Sequence, residues 1–184
     1  MNSQMKLTSN ESLEIGLALA SGGARGAYQA GSLLALAEKN ITFSHIAGTS
    51  IGTLNGAFYV QGNGSQEHME GLCELWREIG RVNLIRPNLE LLKKKILPIK
   101  KGFSIFDHKA IQKTLDKFLD YQKICASPKK FVITAIPSID PVTDILAGTF
   151  QKTHYFHADK ISPQTLRKAL LAATAIPIAF PSID

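Results

Sequence analysis

Residues 46–56 read IAGTSIGTLNG, a serine between two glycines at the point where a short apolar run gives way to a helical pattern. Two readings of Ser50 compete here: a nucleophile held on a sharp strand-to-helix corner, or a small residue filling a tight turn. The Gly-x-Ser-x-Gly pattern fixes only three positions and arises by chance in about one chain in fifteen of this size. Its neighbours therefore decide. Before it, SHIAG is a short strand; after it, IGTLNGAFYVQGNG continues at helical spacing to the glycines around Asn63. Upstream, EIGLALA (14–20) is an apolar run of strand length, SGGARG (21–26) a glycine loop and AYQAGSLLALAEK (27–39) a helix. The same unit of strand, glycine turn and helix thus occurs twice.

Further along, Met69, Leu72, Cys73, Trp76 and Ile79 recur at offsets of three and four, the stripe of an amphipathic helix, with Trp76 read as core. Asp107 is placed to cap a helix carrying Ile111, Leu115, Phe118 and Leu119. FVITAI (131–136) and DILAGTF (144–150) are β-rich and separated by a Pro and Asp turn cluster, and Ser162–Pro163 opens a final helix, QTLRKALLAATA. Alternating strands and helices predict an α/β fold with a mostly parallel central sheet.

The chain has 184 residues, 45% of them hydrophobic and 20% charged, which is the balance of a globular domain rather than a disordered one. No run of about 18 apolar residues exists to span a membrane. Residues 1–13 read as a flexible leader without the apolar centre of a secretory signal, leaving one domain over 14–184. Cys73 and Cys125 are too few for a disulfide framework, which favours a reducing, cytoplasmic setting.

Two glycine turns at the carboxyl ends of neighbouring strands are where open α/β sheets bind ligands. Phosphate binding fails on detail. Ala24 stands where a Gly-x-Gly-x-x-Gly motif starting at Gly22 needs its second glycine, and neither loop ends in Gly-Lys-Ser/Thr. Acyl transfer fits better. Gly48 and Gly52 remove the side chains that would collide at a serine corner, and the helix after Ser50 aims its positive end at developing negative charge. The glycines of SGGARG can bring amide donors within reach of a substrate oxygen. Gly52 and Gly56, and Gly31 as well, also have a structural reading, as smooth helix faces for close approach.

GLALASGGARGAYQAGSLLAL, IAGTSIGTLNGAFY and ALLAATAIPIAFPSI together resemble three successive signatures of the patatin-like phospholipase family. These are a glycine-rich oxyanion loop, a Gly-x-Ser-x-Gly elbow, and a segment that precedes a catalytic Asp-Gly-Gly/Ala. Ser21 replaces the usual first glycine and Ser182 the usual second proline. The resemblance implies a three-layer α/β fold with helices flanking the sheet. It also implies hydrolysis of phospholipid or related acyl esters by a Ser-Asp dyad, with neither cofactor nor metal. On that resemblance Ser50 is the nucleophile, the amides of Gly22, Gly23 and Ala24 form the oxyanion hole, Arg25 and Gly26 support the loop, and Gly48 and Gly52 form the elbow.

The base is the open element. Asp184 stands three residues after Pro181, whereas the family's aspartate comes several residues after the corresponding segment. Either Asp184 serves across a short loop or the catalytic aspartate lies past it, in a longer protein of which this chain is a part. Asp140 and Asp144 read as turn residues, Asp107 as a cap and Asp159 as a solvated loop residue. A Ser-His-Asp esterase is a rival, since His154 and His157 follow the serine. A catalytically incomplete module that keeps the fold for lipid or partner binding is another. His45, His68 and His108 lack metal-ligand spacing.

Between Arg81 and Lys101 seven Lys or Arg face the single Glu90, a local excess equal to the +6 of the whole chain. Lys93, Lys94, Lys95, Lys100 and Lys101 are interleaved with Leu91, Leu92, Ile96, Leu97 and Ile99. That mixture suits an anionic membrane surface and equally a solvated helix face over a buried stripe. Nucleic acid is disfavoured, because the stretch has no aromatics for base stacking.

Overall fold

The computed structural model describes residues 14–81, 109–136 and 152–174. Among these residues four strands form one sheet in the order β1 (Gly16–Leu19), β2 (His45–Thr49), β3 (Lys130–Ala135) and β4 (His154–His157). The first three are parallel, with Leu19 level with Gly48 and Thr49 level with Thr134; β4 runs antiparallel to β3, Thr134 facing Tyr155. This is the mostly parallel α/β sheet that the alternating pattern predicts.

The helices among the described residues are α1 (Gly26–Glu38), α2 (Ile51–Val60), α3 (Gln66–Arg81), α4 (Lys109–Phe118), α5 (Tyr121–Cys125) and α6 (Pro163–Thr174). α2 holds nothing but buried residues from Gly52 to Val60, as befits a helix apolar all round. It lies on the face of the sheet that carries Ile46 and Phe131, with Gly56 pressed against both side chains. α1, α3 and α6 pack around it. Met69, Leu72 and Leu75 of α3 are completely buried, and Leu33, Leu166 and Leu170 join the same core.

Local chemistry sets the ends. Ser162 accepts a hydrogen bond from the Thr165 amide (3.2 Å) ahead of Pro163, the predicted cap and first helical position. Asp120 caps α5 by accepting from the amides of Gln122 and Lys123, a five-residue helix too short to show a periodicity. α4 and α6 are tied by a two-pronged ion pair between Asp116 and Arg167 (2.8 and 2.7 Å). Gly31 departs from expectation: a Cβ built there meets nothing within 4 Å, so it faces open space and no neighbour approaches it. Residues 144–150, predicted as a strand, Asp107, Asp140, Asp144 and the basic segment past Arg81 lie outside the described residues.

Candidate active site

β2 ends at Thr49, and the chain turns at Ser50 into α2 with φ 52° and ψ −122°. Those are the angles of the first central residue of a type II′ turn, a place that glycine normally takes. A serine there is strained by roughly 1–3 kcal/mol, and such strain clusters at functional sites. The side chain also declines the local role open to it. Ser50 occupies the cap position of α2, yet makes no side-chain capping bond, unlike Ser162 at the start of α6. No side chain among the described residues hydrogen-bonds to its hydroxyl. The tight-turn reading accounts for neither fact.

The flanking glycines are required by contact. A Cβ on Gly48 would come within 2.6–2.8 Å of the backbone of Gly52 and Thr53, and one on Gly52 would strike the carbonyl groups of Leu19 and Ala20. The second contact has a consequence for the site: the first turn of α2 touches, backbone to backbone, the end of β1 where the glycine loop begins. The two loops singled out in the sequence are adjacent in space.

In the loop, Gly23 has φ 55°, and a single turn of 3-10 helix runs over Gly23–Arg25, closed by the Arg25 amide donating to the Gly22 carbonyl (3.1 Å). That bond uses a carbonyl; the amides of Gly22, Gly23 and Ala24 precede it and belong to the unpaired N–H groups at the start of any helical turn. Arg25 is exposed and its side chain packs over Gly22, where a Cβ would lie 3.2 Å from that of Arg25. Gly26 is buried, with the Trp76 ring and the Ile51 side chain against its Cα. Ser50, Gly48, Gly52 and the loop from Gly22 to Gly26 therefore share one end of the sheet.

Asn55 and Gln29, which the pattern of apolar residues does not reveal, meet here with Trp76 of the predicted stripe. Asn55 is fully buried; its Nδ2 donates to the Gly26 carbonyl and to Gln29 Oε1, both at 2.9 Å, and its Oδ1 accepts from the Trp76 indole N–H at 2.8 Å. Gln29 Nε2 donates in turn to the Ala20 carbonyl at 2.7 Å. Trp76 is thus a polar partner besides a packing residue, half-buried rather than enclosed. The signal lay in the sequence as one carboxamide in an otherwise uncharged, largely apolar helix, since a buried amide must be paired.

Thr49 and Thr134 join β2 to β3 beside the corner through their hydroxyls (2.8 Å). His154 begins β4 at the same end of the sheet, while Asp159 is bound to Lys130 at 2.9 Å. Asp184, Lys93, Lys94, Lys95, Lys100 and Lys101 lie outside the described residues. Among the described residues no group of three or more His, Cys, Asp or Glu could hold a metal ion, and no helix is long and apolar enough to cross a membrane.

A strained serine at a strand-to-helix corner, set beside a glycine loop on a mostly parallel sheet, defines the class of α/β protein. A family model of patatin-like phospholipases matches residues 17–184, and the chain belongs to that family. Over 72 residues it is 39% identical to a patatin-like phospholipase domain-containing protein of Caenorhabditis elegans, covering 35% of this chain and 5% of that protein. It is 51% identical over 47 residues to the lysophospholipase nte1 of Aspergillus terreus, covering 26% of this chain and 3% of that protein. The matched segments span only a small part of these much longer relatives.

Proposed function

We propose that the protein is a serine acyl hydrolase of phospholipid-type esters, with Ser50 as nucleophile. The observation that carries this reading is the left-handed corner at Ser50, which holds an uncapped hydroxyl at the N-terminus of α2. Ser50 Oγ attacks the ester carbonyl carbon while its proton passes to a carboxylate. The tetrahedral oxyanion is met by the amides of Gly22, Gly23 and Ala24 and by the positive end of α2. Collapse breaks the bond to the alcohol oxygen, which takes the proton and leaves; water then gives a proton to the carboxylate as it attacks the acyl-serine, the acyl–Oγ bond breaks, the fatty acid departs and Oγ recovers the proton. The match to a lysophospholipase favours a glycerophospholipid or lysophospholipid substrate. The carboxylate is the family's aspartate, for which Asp184 is this chain's candidate.

A histidine base is the second reading, favoured by the strand register. Thr49 is level with Thr134 and Thr134 with Tyr155, so His154 stands one step on, two strands or about 10 Å from the corner. Release of fatty acid from phospholipid and lysophospholipid vesicles by wild type, Ser50→Ala, Asp184→Asn and His154→Ala tests both readings. Turnover lost in Ser50→Ala and kept in His154→Ala is the expected result. Full turnover by Ser50→Ala overturns the proposal.

A further inference from the structure

We infer that Asn55, Gln29 and Trp76 form a positioning network that sets the glycine loop at its working distance from Ser50; this deepens the acyl-hydrolase reading and rests on it. The loop has little internal structure, with one turn bond and a glycine at positive φ. Its two ends are held from outside. The Ala20 carbonyl, just before the loop, accepts from Gln29 Nε2, and the carbonyl of Gly26, its last residue, accepts from Asn55 Nδ2. Asn55 lies on α2, five residues beyond Ser50, so one helix carries both the serine and the anchor of the loop.

The direction of every bond follows from Trp76. An indole N–H can only donate, so the Asn55 atom facing it is the oxygen. Nδ2 then faces Gly26, whose carbonyl can only accept, and its other hydrogen needs an acceptor, which obliges Gln29 to present Oε1. That leaves Gln29 Nε2 for the Ala20 carbonyl. No member can flip its amide without opposing two donors or two acceptors. Asn55, at the buried centre of the network, has all three of its amide contacts paired, which fixes its orientation, and oxyanion donors are effective only when fixed before charge develops. The three side chains are therefore positioning residues.

The test is kinetic and uses the intact protein. Gln29→Met, on the half-buried side of α1, removes with little change in volume both the bond to Ala20 and the acceptor of one Asn55 Nδ2 hydrogen. The expected result is kcat about tenfold to a hundredfold lower, KM nearly unchanged, and the rate of phosphonylation of Ser50 lowered in parallel, in protein whose unfolding midpoint falls but which is fully folded at the assay temperature. Trp76→Phe, which frees the Asn55 amide to turn, is expected to shift kcat in the same direction. Wild-type kcat in Gln29→Met, or a loss that follows only the folded fraction, overturns the network's role. A wild-type protein without Ser50-dependent turnover overturns the acyl-hydrolase reading itself and this inference with it, an outcome recognisable before any network variant is made.

Discussion

Gly52 lies flat against Leu19, Cα to carbonyl, so that the start of α2 and the end of β1 meet without any side chain between them. Three helical glycines consequently respond differently to one added methyl group. At Gly52 it would drive into backbone that cannot rotate away, and Gly52→Ala is expected to lose at least about 3 kcal/mol. At Gly56 it meets the Phe131 ring and Ile46 at 2.7 and 3.1 Å, side chains that can yield, for a loss of about 1–3 kcal/mol. At Gly31 it meets open space, and the better helix propensity of alanine adds about 0.5–1 kcal/mol. Urea denaturation of the three variants checks the order.

Ser50 holds its angles against its own preference. Ser50→Gly relieves that conformation and Ser50→Ala does not, so the glycine variant is expected to be more stable than the alanine variant by about 1 kcal/mol, both being inactive. Equal melting temperatures would show that the corner carries no strain.

His68 provides a pH dependence. Its ring stacks on Phe58, its Nδ1 accepts from the Gly64 amide, and its Nε2 is buried without a partner among the described residues. Burial first, and then the charge of Lys129, lower its pKa below the ordinary 6.5. In acid the unfolded chain takes up a proton at this histidine before the folded chain does, so the group costs stability as pH falls through its unfolded value. Between about pH 7.5 and 5.5, His68→Gln is expected to lose less stability than wild type; an identical decline would assign the acid sensitivity elsewhere.

The lysine-rich stretch makes a separate prediction from composition alone. Each basic residue near an anionic membrane is worth about 1 kcal/mol, so replacing Lys93, Lys94 and Lys95 by Glu is expected to weaken binding to phosphatidylserine vesicles at least about a hundredfold. Sedimentation with vesicles measures it, and unchanged binding removes the lipid role.

The two strand, glycine-turn and helix units were legible because glycine is the residue that close backbone approach and left-handed turns demand, and Gly48 and Gly52 meet that demand by contact. Helix stripes such as Met69, Leu72 and Trp76 were legible because burial imposes a period. Gly31 looked like Gly52 in sequence and differs only in what tertiary packing brings near it. The antiparallel direction of β4 was not legible, since four residues of strand look alike in either direction. Nor was the pairing of Asn55 with Gln29 and Trp76, because hydrogen bonds across three helices leave no spacing to read.

The most direct test of the central claim is covalent. An alkyl fluorophosphonate reacts fastest with a serine that is both activated and faced by oxyanion donors. Incubation of the intact protein with this reagent, followed by peptide mass spectrometry, is expected to place one phosphonyl adduct on Ser50, absent from Ser50→Ala and slowed in Gln29→Met. A folded wild-type protein that stays unlabelled at Ser50, or is labelled at another serine, would contradict the account.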